Sequence, residues 1–444
     1  MGEFEQLTAA LQEHIPAPQV ITDPDMLRDY AVDGLLPRLV VIPDTVEQVA
    51  QAVQLANRHD VTVMPRGGGS HLNLGGMPER IDVVIETQAL ARLLEHEGPD
   101  LTCHVEGGIT LAALQHQLAS KGQHLALDPP NMEQASIGGI LATNASGPRR
   151  LRYGTARDLV IGLRTVQASG EIARSGGRVV KNVAGYDLNK LYIGSLGTLG
   201  IIVEANFRLH PIPPMEHTLL LTFAGAAEAM ETVIATLGSL LTPSALELID
   251  SGAASDMSDL FHLNLPTNGY TLAINFEGSA VSINRQIDEA RLLARQHGAL
   301  IGDDLMGEEQ ERFWRVVREH LQGAVTCKVA IPVNQVVPYL QTVERICRQQ
   351  NLEAAIVAHA GNGVLFIELR PGDATARLVA AITTLRQHAR DARGSLVVER
   401  CPVDLKRRIS VWGEPGADFS LMQRLKHQFD PKGTFVQGRF VGGL

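Results

Sequence analysis

Apolar positions change period several times along the chain, and these changes mark its elements. Leu39–Ile42 is a short apolar run stopped by Pro43, after which Val46, Val49, Ala50, Val53 and Ala56 recur at helical spacing to about His59. Thr45 with Gln48 three residues on predicts a capping box at the start of that helix. Val61–Met64 reads as a strand and runs straight into Gly67-Gly68-Gly69, so the unit is β–α–β with a glycine loop at its exit. Strands are expected at Asp82–Ile85 and Thr102–Glu106, with a helix over Leu111–Lys121 stopped by Gly122. Leu159–Gln167 and Ile172–Arg174 around Ala168–Glu171 predict a hairpin, and Ile201–Leu209 is a β-branched strand. Pro211, Pro213 and Pro214 break the pattern there and place a domain boundary.

The second half repeats one pattern. The first copy has strand Thr218–Phe223, helix Ala226–Leu237, strands Ala245–Ile249 and Tyr270–Phe276, and a helix around Ile283–Gln296. The second has strand Val325–Ile331, helix Gln335–Arg348, strands Ala355–Ala358 and Val364–Leu369, helix Ala374–Arg390 and strand Leu396–Val398. Such β-α-β-β-α-β units form antiparallel sheets with helices on one face, a ferredoxin-like arrangement. The expected class is α+β in two domains, 1–214 and 215–444, with the turn-rich tail 419–444 packing back on the first.

Composition narrows the function. Hydrophobic residues make up 45% of the 444 and charged residues 20%, the balance of a folded globular chain. A net charge of -10 with 4% aromatic residues gives neither the basic footprint nor the stacking surface of a nucleic-acid binder. Cys103, Cys327, Cys347 and Cys401 are scattered with no C-x-x-C or Cys/His cluster, so no zinc or iron–sulfur site is expected from this chain. The acidic start Met1–Glu5 lacks the order of a secretory signal, and no apolar run reaches about 18 residues, so a cytoplasmic protein without a membrane span is expected.

Three glycine segments carry the candidate chemistry. Missing Cβ atoms let backbone N–H groups close on phosphate oxygens, so Pro65–His71, leaving a strand, fits an anion cradle as well as a flexible turn. Ser136–Gly147 mixes glycines with small hydroxyl and amide residues, which also suits a close-packed helix; Gly194–Gly200 feeds the strand Ile201–Leu209 and suits a tight strand entry. Neither G-x-x-x-x-G-K-[ST] nor G-x-G-x-x-G occurs, which disfavours a P-loop and a Rossmann fold.

Pro65–Gly76, Ser136–Gly147 with Tyr153-Gly154, and Gly194–Ile202 resemble the FAD-binding domain of the vanillyl-alcohol oxidase superfamily. Gly177–Leu188 and the ending Phe429-Asp430-Pro431 to Gly438-Arg439-Phe440 are similar, more narrowly, to the FAD-binding subunit of the bacterial glycolate oxidase (dehydrogenase) complex. The resemblance implies FAD, cradled at its pyrophosphate by Arg66, Gly67, Gly68, Gly69, Ser70 and His71 with Gly76 in the same loop. It implies Pro129, Ser136, Ile137, Gly138, Gly139, Thr143, Asn144, Ser146 and Gly147 on the ribityl and isoalloxazine side, and Gly200 with Ile202 on the adenosine side. Tyr153 and Gly154 join the flavin site because they fall within the motif. Relatives that attach FAD covalently often use a histidine in the first loop; Ser70 directly follows Gly69 here, which implies non-covalent FAD.

The same resemblance implies oxidation of a 2-hydroxy acid, with a catalytic flavin subunit and an iron–sulfur subunit as partners, which allows a peripheral place at the inner membrane. Resembling dehydrogenases carry a histidine pair and a glutamate–histidine pair in the second domain, which bind metal or act on substrate. His359 matches the first histidine, but Phe366 stands at the second and Glu399-Arg400 at the other pair. A phenylalanine cannot ligate a divalent cation, so no metal is expected. His359 is the candidate catalytic residue, as base or substrate contact, or else a structural strand-end histidine. Lys328 and Arg400 are candidate carboxylate anchors or surface charges. Two alternatives stay open: a free-standing D-lactate-type dehydrogenase and a non-catalytic structural flavoprotein.

Overall fold

The computed structural model describes residues 3–177, 187–261, 265–319, 323–370 and 375–444. By its contacts the chain divides into two units: Met1–Ser146, Thr155–Ile212 and Glu414–Leu444 form the first, Gly147–Gly154 and Pro213–Gly413 the second. Residues 178–186, the greater part of the Gly177–Leu188 motif, lie outside the described residues.

The first unit holds two sheets. One is built from β1 (Val20–Ile21), β2 (Leu39–Val41), β3 (Val63–Arg66) and β4 (Val83–Glu86), in the order β1-β2-β4-β3, with β2 and β3 parallel to β4. The parallel pairing requires a crossover, which helix Val46–Arg58 supplies, burying Val46, Val49, Ala52, Val53 and Ala56. Thr45 Oγ1 accepts the Gln48 N–H at 3.2 Å, while Gln48 reaches back to the N–H of Asp44 rather than of Thr45. The other sheet starts with β5 (Leu93–Glu97) and β6 (Thr102–Glu106); after the ribbon strand β7 (Gln123–His124) come β8 (Val160–Val166), β9 (Ile172–Gly176) and β10 (Ile201–Arg208). Its order is β5-β6-β10-β8-β9, antiparallel throughout, and β11 (His210–Pro211) closes the ribbon with β7. Val166, Ile201 and Val203 of this sheet share a core with Val63, Ile85 and helix Val46–Arg58.

The last residues complete the first sheet. Val63 donates to the Thr434 carbonyl at 2.7 Å and accepts from the Val436 N–H at 2.9 Å. Asp430 holds this turn through the N–H groups of Thr434 and Phe435, and Lys426 pairs with it at 2.7 Å. Arg439 is buried; it donates to the carbonyls of Leu72, Leu74 and Gly76 and faces Asp33 at 3.4 Å.

The second unit is one antiparallel sheet of eight strands. These are β12 (Met215–Phe223), β13 (Ala245–Ile249), β14 (Tyr270–Gly278), β15 (Ile301–Leu305), β16 (Thr326–Ala330), β17 (Glu353–His359), β18 (Val364–Arg370) and β19 (Ser395–Arg400), ordered β15-β12-β14-β13-β17-β18-β16-β19. Each group of four has the ferredoxin-like order, and β13 pairs with β17 to join the copies edge to edge. Side chains alternate between the faces. Leu219, Ile274, Ile356 and Ile367 meet the apolar face of four long helices, while Ala245, Ala273 and Val357 on the other face meet Met257, Phe313 and Trp314. That second face also carries Glu216, Glu247, Glu277 and His359.

Candidate functional site

Strand β3 delivers Arg66 to the mouth of a cleft in the first unit. One wall is Pro65, Arg66, Gly67, Gly68, Gly69, Ser70 and His71; the other is Ser136, Gly139, Ala142 and Thr143, with Leu196 and Arg439 completing it. Ser136 organises both walls. Its hydroxyl caps helix Ile137–Thr143 at the N–H of Gly139 and also accepts the N–H of Gly68, each at 3.3 Å. The third glycine segment joins at the far end of that helix, where the N–H groups of Gly194 and Leu196 donate to Leu141 and Ala142 at 2.9 and 2.8 Å. Sequence segments far apart thus meet around one space.

Several glycines are fixed by protein packing. A Cβ at Gly67 would lie 2.0 Å from Ser136 Oγ, and one at Gly68 would lie 1.6 Å from the Gln134 carbonyl. At Gly76 it would meet the Gly438 carbonyl, and at Gly138 and Gly200 the carbonyls of Ile202 and Val166. Gly69 takes φ +75°, which favours glycine, and Gly139 is the open one: a Cβ there meets only Ser136 Oγ, at 3.1 Å.

The remaining candidates divide between the units. Pro129, Ile137, Ser146, Gly200 and Ile202 are buried in the first unit without lining the cleft. Asn144 takes a left-handed conformation at the end of helix Ile137–Thr143, and its buried Oδ1 has no hydrogen-bond partner among the described residues. Gly147, Tyr153 and Gly154 belong to the second unit. There the Tyr153 hydroxyl donates to Glu277 at 2.5 Å, and Arg149 reaches Glu216 at 2.6 Å and Glu277 at 3.4 Å. Burial, reinforced by that carboxylate, raises the Tyr153 phenol above its usual range.

His359 ends β17 on the polar face of the second unit. Its Nδ1 lies 2.7 and 2.8 Å from the two oxygens of Glu247, its register partner on β13, and both side chains are buried. The Phe366 ring stands edge-on to the imidazole at 5.2 Å, and the Lys328 ammonium lies 5.5 Å from that ring and 3.4 Å from Glu399. Among the described residues no group of three or more His, Cys, Asp or Glu side chains that could hold a metal ion is found.

Sequence reasoning missed Glu247, Arg439 and Tyr30. Only a lone carboxylate inside the apolar run Ala245–Ile249 hints at the first. Arg439 belongs to the recognised ending, but nothing local shows that it clamps the first glycine loop. Tyr30 stacks under the Arg66 guanidinium at 4.4 Å, and burial with a hydrogen bond to Glu86 pushes its phenol up to about 12.

Comparison with known proteins decides the family. Residues 37–176 match the FAD binding domain model, and residues 212–439 match the model of the C-terminal domain of FAD linked oxidases. The chain belongs to the FAD-linked oxidase family. It is 27% identical over 417 residues to a glycolate oxidase subunit of Bacillus subtilis (strain 168), covering 91% of this chain and 89% of that one. It is 28% identical to a D-2-hydroxyglutarate dehydrogenase of Xanthomonas citri pv. viticola (95% and 94% covered). To a mitochondrial D-lactate dehydrogenase [cytochrome] of Arabidopsis thaliana it is 30% identical (74% and 59% covered). In fold it resembles p-cresol methylhydroxylase, with a TM-score of 0.79 at 17% identity over 99% and 97% of the two chains. Alkyldihydroxyacetonephosphate synthase follows the same fold with a TM-score of 0.74 at 21% identity (97% and 84% covered). This FAD-linked oxidase is therefore an oxidoreductase with FAD as its cofactor.

The cleft fits such a group. In a chain of net charge -10, its lining includes Arg66 and Arg439 and no carboxylate, and three consecutive residues of one wall lack side chains. Arg66 beside the glycine run sets a cation against backbone that carries no side chains, a combination that stabilises a diphosphate.

Proposed function

We propose that this FAD-linked oxidase oxidises a small 2-hydroxy acid to the 2-oxo acid, as the FAD-binding subunit of a glycolate dehydrogenase-type complex with a catalytic flavin subunit and an iron–sulfur subunit. The observation that carries the reading is the acid-free cleft between Arg66–His71 and Ser136–Thr143. Arg66, Gly69, Ser70 and His71 hold the diphosphate on one wall, non-covalently, with Gly139 and Thr143 opposite. Gly67, Gly68, Gly76, Ile137, Gly138, Gly200 and Ile202 set the spacing of the walls, and Pro129, Asn144 and Ser146 shape the flavin end. FAD, when bound there, would supply the two-electron acceptor that oxidation at the substrate's C2–H bond requires. His359 takes the hydroxyl proton, and no metal assists it. Among the described residues no helix is long and apolar enough to cross a membrane, and we place the complex in the cytoplasm, against the inner membrane through its partners.

A second reading, a free-standing D-lactate-type dehydrogenase, uses the same His359, hydrogen-bonded to Glu247, as its base. One experiment separates them. The purified chain is expected to carry flavin that acid precipitation releases, and to reduce a dye slowly with glycolate or D-lactate until partner subunits are added. A colourless protein that takes up no FAD overturns both readings, and full activity of the chain alone overturns the complex.

A further inference from the structure

Two consecutive residues of the turn Arg28–Tyr30 hold the Arg66 side chain. The Asp29 carbonyl accepts from its Nη1 at 3.0 Å, and the centre of the Tyr30 ring lies 4.4 Å from the guanidinium carbon. A ring at that range attracts the cation and restrains its rotation. The ring is itself fixed: it packs against the cluster of Leu27, Val32, Met64 and Val84, and its hydroxyl is hydrogen-bonded to Glu86, the register partner of Arg66 on β4. One edge of the guanidinium then remains. A Cβ at Gly69 would lie 3.2 Å from Nε and 3.3 Å from Nη2, so this edge faces the bare side of Gly69, and both residues line the cleft. Among the described residues neither nitrogen has a hydrogen-bond acceptor. Nε with Nη2 is a rigid fork that meets two oxygens of one phosphate at once.

We propose that Tyr30 is a positioning residue: with the Asp29 carbonyl it holds Arg66 so that the Nε–Nη2 edge, over Gly69, receives a phosphate of the FAD diphosphate. The inference rests on the proposed placement of the diphosphate in this cleft and adds to it the residue that aims the cation. An arginine free to rotate loses side-chain entropy when it binds a phosphate. One already held at Nη1 and against a ring loses less, and the difference appears as affinity. Tyr30 acts only through Arg66, so the contributions of the two residues are coupled and do not add.

The test is a titration of FAD into the full-length apoprotein, read by the quenching of flavin fluorescence. Arg66→Ala is expected to raise Kd at least about tenfold, the loss of a charge-assisted contact. Tyr30→Leu should raise it about fivefold or more, and Tyr30→Phe, which keeps the ring, less than about twofold. In the Arg66→Ala background Tyr30→Leu should add less than about twofold, whereas a merely structural tyrosine would weaken binding by the same factor in both backgrounds. Equal factors in the two backgrounds overturn the inference. So does a folded Tyr30→Leu protein with wild-type Kd, or a Tyr30→Phe protein as weak as Tyr30→Leu. If Tyr30→Leu fails to fold, the wild type decides. The Nε–H signal of Arg66 in nitrogen-15 spectra, assigned by its loss in Arg66→Lys, should shift when FAD binds, and an unmoved signal overturns the inference. If Arg66→Ala itself binds FAD as the wild type does, the proposed placement of the diphosphate falls and takes the role of Tyr30 with it.

Discussion

A Cβ at Gly139 meets little besides a serine hydroxyl, whereas one at Gly68 collides with a backbone carbonyl. The two positions therefore answer different questions. Valine at 68 pushes the two glycine walls apart and loses flavin by disrupting the fold. Leucine at 139 stays on helix Ile137–Thr143, where leaving glycine gains up to about 1 kcal/mol of helix propensity, and points its bulk into the cleft. Gly139→Leu is expected to melt within a few degrees of the apoprotein while its flavin content, read from the visible spectrum, falls at least about tenfold. Retained flavin in that variant would remove Gly139 from the cofactor wall.

Asp250, which follows β13, shows how one side chain ties elements together. Its Oδ1 accepts the N–H of Ala253, in the first turn of helix Ser251–Phe261, at 2.8 Å and that of Ile356 on β17 at 2.9 Å. Burial dominates its titration and pushes the carboxyl up to about 6, against the lowering effect of those hydrogen bonds and of Arg370. A raised folded-state value means that the folded protein holds the proton more tightly than the unfolded chain. The stability from this group is therefore full below about pH 3.8 and lost as pH rises through about 6. Asparagine keeps the accepting oxygen without the charge. Asp250→Asn is expected to stabilise the protein at pH 8 by roughly 1–2 kcal/mol, or a few degrees of melting temperature, and to do little at pH 4. Melting curves across that range decide it, and an equal loss at both pH values would show that the charge is needed.

The legibility of the elements follows the range of the forces involved. Helix Val46–Arg58 and the hairpin of β8 and β9 depend on local period and capping, so they stand where the pattern predicts them. Strand β15 escaped because Gly302, Asp303 and Asp304 carry no apolar alternation; its place comes from pairing along β12. The joining of β13 to β17 is equally invisible, since neither strand records its partner. The glycine segments were readable as a group, but their physical reason was not. Gly67 and Gly68 are bare because Ser136 and Gln134 press on them, a contact between loops about 70 residues apart.

At the scale of the whole molecule, the cleft is lined by stretches that the chain visits at different times, Arg66–His71, Ser136–Thr143, Leu196 and the tail at Val436–Arg439. Arg439 ties the last to the first through the carbonyls of Leu72, Leu74 and Gly76, so whatever orders one stretch restrains the others. A ligand that binds only the folded form stabilises it by about 2.7 kcal/mol at a hundredfold excess over Kd. If the cleft is where FAD sits, that stabilisation must appear as slowed amide exchange in these stretches together. Hydrogen–deuterium exchange of the apoprotein with and without FAD is thus expected to show protection in peptides covering 66–76, 136–144 and 430–440. Peptides from β13 and β17, which belong to the other unit, should exchange unchanged in the absence of substrate. Protection confined to the second unit would move the cofactor away from the glycine walls, whereas protection of the tail without the loops would mean that Arg439 is a fold anchor and not part of the wall.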